Sequence, residues 1–259
     1  ITQTVQYLHF STNNTIGVPV DLWLPATQKL KPETSQQANL QIQKLHKKAD
    51  LSIDIYYKQM NNLIDYAEGI EYLGISNFWE NKFVQGKGTT YGLDVMLEKK
   101  FGKFKGWLGY SWSVNNRQFD SINGGNVFPF KYDRRNNISA VITTKIKKNV
   151  GFYASWVYGS GSAITLPVGR YPNASNEPFN DIYIYGKRNA NRLRDYHRLD
   201  MGIKSTKIKK HFTRVWNISV YNIYNRQNPF YITPGSDEDG NRSFIQVSLL
   251  PFIPSVSYR

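Results

Sequence analysis

The stretch KKFGKFKGWLGYSWSVNN, residues 99–116, begins with a basic turn and continues with large apolar side chains at every second position. These apolar residues are Leu108, Tyr110, Trp112 and Val114. Small or polar residues separate them: Gly109, Ser111, Ser113 and Asn115. A period of two places the two sets on opposite faces of a β-strand. The stretch therefore predicts a strand with one apolar, aromatic face and one polar face.

The same alternation recurs along most of the chain. It is present in residues 51–58, 91–98, 137–146, 151–158, 198–204, 214–220 and 245–249. Residues 28–49 allow either a helix capped by Ser35 or a loop followed by a strand with Leu40 and Ile42 on one face. Of these two interpretations, we favour the strand.

The connections between the strands alternate between short and long. Short basic turns lie near residues 47–50, 102–105, 147–150 and 209–211. Long polar connections cover residues 67–86, 117–135, 160–194 and 226–242. An up-and-down meander with this alternation has all short turns at one end of the sheet and all long loops at the other. That asymmetry is typical of outer-membrane β-barrels.

Strand length and aromatic placement also favour a membrane location. Strands of about ten residues tilted by about 45° span a bilayer core, whereas strands of globular proteins have about 5–6 residues. Aromatic residues gather near strand ends, as a membrane girdle requires: Phe101, Phe104, Trp107, Phe152, Phe212, Trp216, Tyr221 and Tyr224. The sequence predicts an all-β fold, a transmembrane antiparallel up-and-down β-barrel. A soluble β-sandwich is the alternative, because its strands also alternate.

Composition excludes several function classes. The chain has no cysteine, which removes disulfides, cysteine-ligated zinc and thiol catalysis. The net charge of +14 is compatible with binding to nucleic acid, with binding to anionic lipid, or with basic turns exposed to water. Because the lysines recur at tight turns, we predict no nucleic-acid binding. No G-x-S-x-G motif, glycine-rich phosphate loop or histidine pair with metal-ligand spacing is present, so we predict no enzymatic activity, no cofactor and no metal site.

Residues 166–193 are the richest recognition candidate, because they combine aromatic faces with positive charge. That mixture suits an anionic or sugar-like ligand. The candidate ligand-binding residues in this loop are Arg170, Tyr171, Tyr183, Tyr185 and Arg188. Residues 75–83 add Phe78 and Trp79. Packing of each loop onto its neighbours is the alternative interpretation.

Two segments, YDRRNN (132–137) and RLRDYHRLD (192–200), place arginine beside aspartate where a strand returns from a long loop. They predict a lumen charge cluster of Asp133, Arg134, Arg135, Arg198 and Asp200. Such a cluster either contacts a ligand or a domain that plugs the barrel, or forms arginine–carboxylate pairs that tie neighbouring strands together. We favour the second interpretation, because paired charges are tolerated in a wet lumen.

The chain resembles the C-terminal half of the barrel of TonB-dependent outer-membrane receptors of the Bacteroidota. The resemblance depends on the order and spacing of several segments that cover most of the chain. They are VDLWLPATQKLKPETSQQANL (20–40), DIYYKQMNNLIDY (54–66), GKGTTYGLDVMLEKKFGKFKGWLGYSWS (86–113), YDRRNNIS (132–139), SWVYGSGSAIT (155–165), RLRDYHRLDMGIK (192–204), NISVYNIYNRQNPF (217–230) and LLPFIPSVSYR (249–259).

The resemblance implies about ten strands of a 22-stranded barrel that takes up a scarce extracellular ligand with TonB-derived energy. The implied partners are the outer-membrane bilayer, a small-molecule, siderophore, peptide or glycan ligand, and the TonB complex. Contact with TonB would be made by an N-terminal part that residues 1–259 do not contain. The LPFIPSVSYR ending differs from the polysaccharide-importing subgroup, so we expect no surface lipoprotein partner.

The plug domain and the N-terminal strands of such receptors are missing from residues 1–259. Because about ten strands cannot close a barrel of that size without leaving backbone groups unsatisfied in lipid, we expect a fragment or the ordered part of a larger receptor. The alternative functions are a passive porin or structural barrel subunit, and a soluble β-sheet binding module.

Overall fold

The computed structural model describes residues 2–3, 5–9, 21–68, 79–171, 182–236 and 242–259. These residues form nineteen β-strands: β1 Thr2–Gln3, β2 Val5–His9, β3 Asp21–Pro25, β4 Glu33–Lys44, β5 Ala49–Tyr66, β6 Phe83–Lys99, β7 Phe104–Gln118, β8 Phe128–Pro129, β9 Asn136–Lys147, β10 Val150–Gly159, β11 Ala163–Ile164, β12 Pro167–Tyr171, β13 Ile182–Tyr185, β14 Asn191–Arg192, β15 Tyr196–Ile208, β16 Thr213–Tyr221, β17 Pro229–Ser236, β18 Arg242–Ser248 and β19 Ile253–Tyr258. Two single 3₁₀ turns, Trp79–Lys82 and Asn123–Gly125, complete the described elements. In this part of the chain no helix has the length and apolar character needed to cross a membrane.

One sheet dominates the fold. Its strands lie in the order β1-β4-β5-β6-β7-β9-β10-β15-β16-β19, and β8 pairs beside this path with β7. All neighbours are antiparallel, and their spatial order follows the chain. The predicted all-β, up-and-down meander of about ten strands is therefore confirmed. The ambiguous segment 28–49 contains strand β4, as we favoured.

The two faces of the sheet stay in phase from strand to strand. Leu40 of β4 lies opposite Ile55 of β5, Ile55 opposite Leu93 of β6, and Leu93 opposite Trp112 of β7. The pairing sets apolar residues on one face, the outer face, and polar ones on the other, the inner face. Many outer side chains between the two ends of the sheet are exposed, with 54% for Ile55 and 57% for Ile218. The described residues thus provide no second layer over Ile55 or Ile218, as a sandwich would.

Tyrosines cover glycines on the inner face at two separate places. Tyr56 lies opposite Gly92, and Tyr153 lies opposite Gly202. A Cβ atom on Gly202 would be 2.4 Å from the Tyr153 hydroxyl oxygen. That hydroxyl is 3.0 Å from the Asn217 Oδ1 atom of β16. Each glycine therefore makes room for a ring that reaches across neighbouring strands.

The connections have the predicted asymmetry. The short ones cover residues 45–48, 100–103, 148–149 and 209–212, and we call this end of the sheet the short-turn end. The long ones cover residues 67–82, 119–135, 160–195 and 222–252, and they form the loop end. The loop end carries its own small hairpins, including β12–β13 and β17–β18.

Two details differ from the sequence patterns. The alternating run at 245–249 overlaps β18, which pairs with β17 in a hairpin, and the last strand of the main sheet is β19. Trp107 and Tyr221, expected in an aromatic girdle, lie on the inner face, because their cross-strand partners are inner-face residues. Tyr221 is covered by the Arg198 guanidinium, 4.1 Å from the ring centroid. An alternating pattern alone does not show which strand lies at the edge of the main sheet. It also does not show that an aromatic ring packs against a polar group on the inner face.

Substitution of Gly202 tests the inner-face packing. In a Gly202→Ala variant, the new methyl group would displace the Tyr153 ring and break its contact with Asn217. We expect a loss of about 1–3 kcal/mol, the usual cost of overpacking, observed as a lower apparent Tm of the purified protein in detergent. Gly109→Ala is the matched control, because its Cβ would meet no atom closer than 3.6 Å. Equal Tm values for the two variants would contradict this packing.

Candidate functional site

The candidate site lies at the loop end, where a bulge in β5 changes which residues face inward. The register shifts between Asn61 and Leu63, and Asn62 has a left-handed φ of 58°. The Asn62 side-chain amide donates to the Pro32 carbonyl oxygen at 3.0 Å. One extra residue reverses the alternation beyond it, so that Leu63 and Asp65 lie on the inner face of the sheet.

An apolar cluster fills the inner side of the loop end. It consists of Met60, Leu63, Phe119, Ile122 and Phe128. Phe119 and Ile122 come from the 119–135 loop, and their side chains are fully buried. The Phe119 and Phe128 rings are stacked, with centroids 6.1 Å apart. The loop therefore folds against the sheet.

A buried ion pair attaches the 160–195 loop to β5. The Arg188 Nη2 atom donates to the Asp65 Oδ2 atom at 2.8 Å, and the two side chains are 4% and 5% exposed. The Arg188 backbone N–H also donates to the Asn123 Oδ1 atom at 3.2 Å. The Asn189 side-chain amide donates to the Pro129 carbonyl oxygen at 2.9 Å. Two long loops and one strand of the sheet are thus joined through one short segment.

A second buried carboxylate, that of Asp133, forms ion pairs with two arginines. Its Oδ2 atom forms an ion pair with Arg135 Nε at 2.9 Å and accepts a hydrogen bond from Arg192 Nη2. Its Oδ1 atom accepts the Asn115 backbone N–H of β7 at 2.7 Å. The Arg192 Nη1 atom donates to the carbonyl oxygens of Asp133 and Gly161. This arrangement ties β7, the 119–135 loop and the 160–195 loop together with charge-assisted hydrogen bonds.

Arg198 and Asp200 form a separate pair on the inner face of β15. Arg198 Nε lies 2.9 Å from Asp200 Oδ2, and Arg198 Nη1 donates to the hydroxyls of Tyr196 and Tyr221 at 2.9 and 2.6 Å. The Asp200 Oδ1 atom accepts the Asn222 N–H at 2.9 Å. The five charged residues predicted as one lumen cluster therefore occupy two places. Asp133 and Arg135 are joined in one, Arg198 and Asp200 in the other, and Arg134 is exposed.

Asp195 fixes the start of β15. Its carboxylate accepts the Tyr158 hydroxyl at 2.8 Å and the Gly161 N–H at 2.9 Å. These two hydrogen bonds, the Tyr158 one foremost, hold the pKa of the Asp195 carboxyl below its usual value. The carboxylate is therefore ionised at neutral pH and holds both ends of the 160–195 loop.

The β12–β13 hairpin presents most of the predicted recognition residues. Arg170 lies directly opposite Tyr183, and Tyr185 shares the face of Tyr183. Tyr171 lies opposite Ile182 on the other face. Tyr171 and Tyr185 are exposed. The hairpin thus brings Arg170, Tyr183 and Tyr185 together, while Arg188 is buried beside Asp65.

The second recognition segment is only partly described. Phe78 lies outside the described residues. Trp79 packs against an apolar cluster at the loop end, and its ring centroid is 6.1 Å from that of Phe83. The cluster comprises Leu24, Leu30, Ile64, Tyr66 and Phe83. Trp79 is therefore half-buried in loop packing.

The inner face also contains an open polar cavity of about 280 Å³, which the sequence patterns did not single out. Its lining residues are Gln37, Asn39, Asp54, Tyr56, Lys58, Thr90 and Asp94. Asp54 lies directly opposite Asp94, and within the described part of the chain the buried Asp54 Oδ1 atom has no hydrogen-bond partner. The shared inner parity of these residues on β4, β5 and β6 is the signal that could have located the cavity. No group of three or more histidine or acidic side chains suited to a metal ion occurs among the described residues.

Comparison with known proteins gives a family and a fold. A family model described as TonB dependent receptor-like, beta-barrel, matches residues 4–225. A comparison with curated proteins found no match. Similar solved structures include the ferripyoverdine receptor of the Pseudomonas aeruginosa outer membrane bound to ferripyoverdine (13% identity, TM-score 0.52), and the ferric-catecholate import receptor Fiu from E. coli K12 in its closed form (12%, 0.52). A third is the siderophore receptor PirA from Acinetobacter baumannii (13%, 0.52).

These structural matches cover most of this chain but a minor part of each receptor. They include 86%, 90% and 86% of this chain, and 26%, 29% and 32% of the three receptors in the same order. The chain therefore spans less than a third of the length of the receptors that it matches. At these identities the likeness establishes the fold alone.

Removal of Arg188 tests the attachment of the 160–195 loop. Arg188→Ala leaves Asp65 buried without its partner, which is strongly destabilising. We expect the amides of residues 186–193 to exchange hydrogen at least about tenfold faster, because the segment loses its anchor on β5. Hydrogen–deuterium exchange of the purified protein in detergent measures this effect. Lys187→Ala is the control, because Lys187 is the exposed neighbour of Arg188. Equal protection of the backbone amides from exchange in the two variants would contradict the anchoring role of Arg188.

Proposed function

The chain belongs to the TonB dependent receptor-like, β-barrel family, and from this premise we propose that it is the C-terminal part of an outer-membrane active-transport receptor. In this proposal, residues 1–259 form part of a barrel wall, and a plug domain and further strands belong to the same receptor. The receptor binds a scarce extracellular ligand and imports it with TonB-derived energy. Its chemistry is binding and gating rather than catalysis. The resemblance of its segments favours a Bacteroidota source.

The observation that carries this proposal is the in-phase separation of an apolar outer face from a polar inner face. A lipid-facing band and a wet lumen require this separation in every strand of a transmembrane barrel. The inner face carries Asp54, Asp94, Arg198 and Asp200, which would be costly in contact with lipid. The short-turn and loop ends add the asymmetry of an outer-membrane protein.

The edges of the sheet support a larger barrel. Among the described residues, β1 and β19 each pair with one neighbour in the main sheet. An unpaired strand edge in hydrocarbon leaves N–H and C=O groups without partners. Additional strands would close the barrel. We propose a total of about 22 strands for the complete receptor.

The ligand proposal follows from the exposed hairpin at the loop end. Arg170, Tyr183 and Tyr185 offer a cation and two aromatic rings on one face. That face suits a small ligand with anionic or hydroxyl-rich groups. The three structural neighbours are named as a ferripyoverdine receptor, a ferric-catecholate import receptor and a siderophore receptor, which supports a siderophore as the first ligand to test. Peptides and glycans are the next candidates, and no surface lipoprotein is required.

Energised uptake tests the transport proposal. Cells expressing the complete receptor would be given ⁵⁵Fe bound to a catecholate or to a hydroxamate siderophore, with and without TonB. We expect uptake that requires both the receptor and TonB. Receptor-dependent uptake that persists without TonB would contradict active transport and favour a passive porin. Absence of receptor-dependent iron uptake would exclude the siderophore ligand and direct the same assay to labelled peptides and glycans.

Substitutions on the hairpin test where the ligand binds. We expect Arg170→Ala and Tyr183→Ala each to weaken binding of the transported ligand by about tenfold, a typical loss for a buried anchor residue. Equilibrium binding to the purified receptor measures the change. Ile182→Ala is the control, because Ile182 lies on the opposite face of the same hairpin. An equal loss in the control, or no loss in the other two variants, would place the ligand elsewhere.

A further inference from the structure

The positive charge of the chain is concentrated at the short-turn end. Four segments comprise the short turns and the strand residues beside them: residues 44–50, 98–105, 145–150 and 207–214. They contain fourteen lysines and arginines and two acidic residues, a net charge of +12 out of +14 for the whole chain. All thirteen of the lysines among them are exposed. The loop end and the strands between are thus close to neutral in total, although they contain most of the residues.

The two acidic residues at this end share a single lysine. Lys100 Nζ forms an ion pair with Asp50 and lies 3.7 Å from the Glu98 carboxylate. Both carboxylates are therefore already occupied by one of the fourteen cations. The remaining basic side chains lie in the short turns and in the strand ends beside them, at one end of the sheet, where their combined potential attracts anions.

Exposed apolar side chains accompany the lysines in each of the four segments. Leu45 is 68% exposed, Phe101 66%, Ile146 54%, Ile208 80% and Phe212 61%. Lysine beside aromatic or aliphatic residues is the pattern of an interfacial membrane contact. The apolar group enters the boundary between headgroups and acyl chains, and the ammonium group reaches the phosphates.

We propose that the short-turn end binds the anionic headgroups of the lipid leaflet that it meets. The proposal rests on the membrane location proposed above and adds a lipid class, phospholipids with a net negative charge, and the surface that recognises them. Charge complementarity favours such a lipid over a zwitterionic one. The exposed apolar residues favour a lipid surface over nucleic acid or an acidic protein, because they lie between basic residues in the same four segments. Such binding fixes the depth of this end of the sheet in the bilayer.

Lipid competition on the complete, purified receptor tests the proposal. Native mass spectrometry from detergent would give its apparent affinities for phosphatidylglycerol and phosphatidylcholine. The test variant replaces one lysine in three of the four turns: Lys48→Gln, Lys148→Gln and Lys210→Gln. The matched control makes the same charge change at exposed lysines outside the turns: Lys29→Gln, Lys87→Gln and Lys187→Gln. Heat-modifiable migration in gels would verify that both variants are folded.

We expect the wild-type receptor and the control to prefer phosphatidylglycerol. The turn variant should lose affinity for this lipid by about tenfold or more, because each basic residue near a surface contributes to binding. Added salt should reduce the preference of the wild type. These results together would support the lipid site.

Other results would overturn the proposal. An unchanged affinity for phosphatidylglycerol in the turn variant, or equal losses in both variants, would contradict it. Tighter binding of a single-stranded oligonucleotide than of phosphatidylglycerol would contradict the proposal and identify nucleic acid as the partner. A receptor that partitions into the aqueous phase after detergent extraction would refute the membrane function itself, whereas a membrane-inserted receptor with no lipid preference would refute only the headgroup site.

Discussion

Every backbone N–H and C=O group that enters a bilayer must find a partner within the protein, and this structure depends on that requirement. Long antiparallel strands meet it through continuous ladders, and a meander keeps each strand beside its neighbour in sequence. The same ladders fix the phase of the side chains. Because Leu40, Ile55, Leu93 and Trp112 lie in one row, a slip of one residue in any strand would turn apolar groups into the lumen and charges toward lipid.

The loop end differs from the rest of the sheet, because some of its charged side chains are buried within the protein instead of being exposed to water. Asp65 and Asp133 are both buried, and each is paired with arginine. Arg188 and Arg192 belong to the same loop, so two ion pairs hold it against the sheet. The β12–β13 hairpin, which we propose as the ligand-binding segment, belongs to this same anchored loop. In the proposed function, this anchoring reduces the conformational entropy that the loop loses when a ligand binds.

The sequence predicted the features that recur from strand to strand, which are the strands, their two faces and the turn lengths. It did not predict features that occur once, such as a bulge or a long-range ion pair. Period two in residues 99–116 predicted β7 and its two faces, and the turn lengths predicted the two ends. The bulge at Asn62 has no periodic signal, because one left-handed residue reverses the alternation locally. The Asp65–Arg188 pair joins residues 123 positions apart in the chain, which no local pattern reports. The alternating run at 245–249 was real, but only pairing distinguishes a loop hairpin from a strand of the main sheet.

The most direct test of the central claim is the environment of alternate residues along β7. The chain has no cysteine, so single cysteines at positions 108 to 113 can carry a spin label without background from these residues. In bilayer-reconstituted receptor, we expect oxygen to relax labels at 108, 110 and 112, and a water-soluble nickel complex to relax those at 109, 111 and 113. Access of the nickel complex to all six positions would contradict a membrane-spanning strand with one face in lipid.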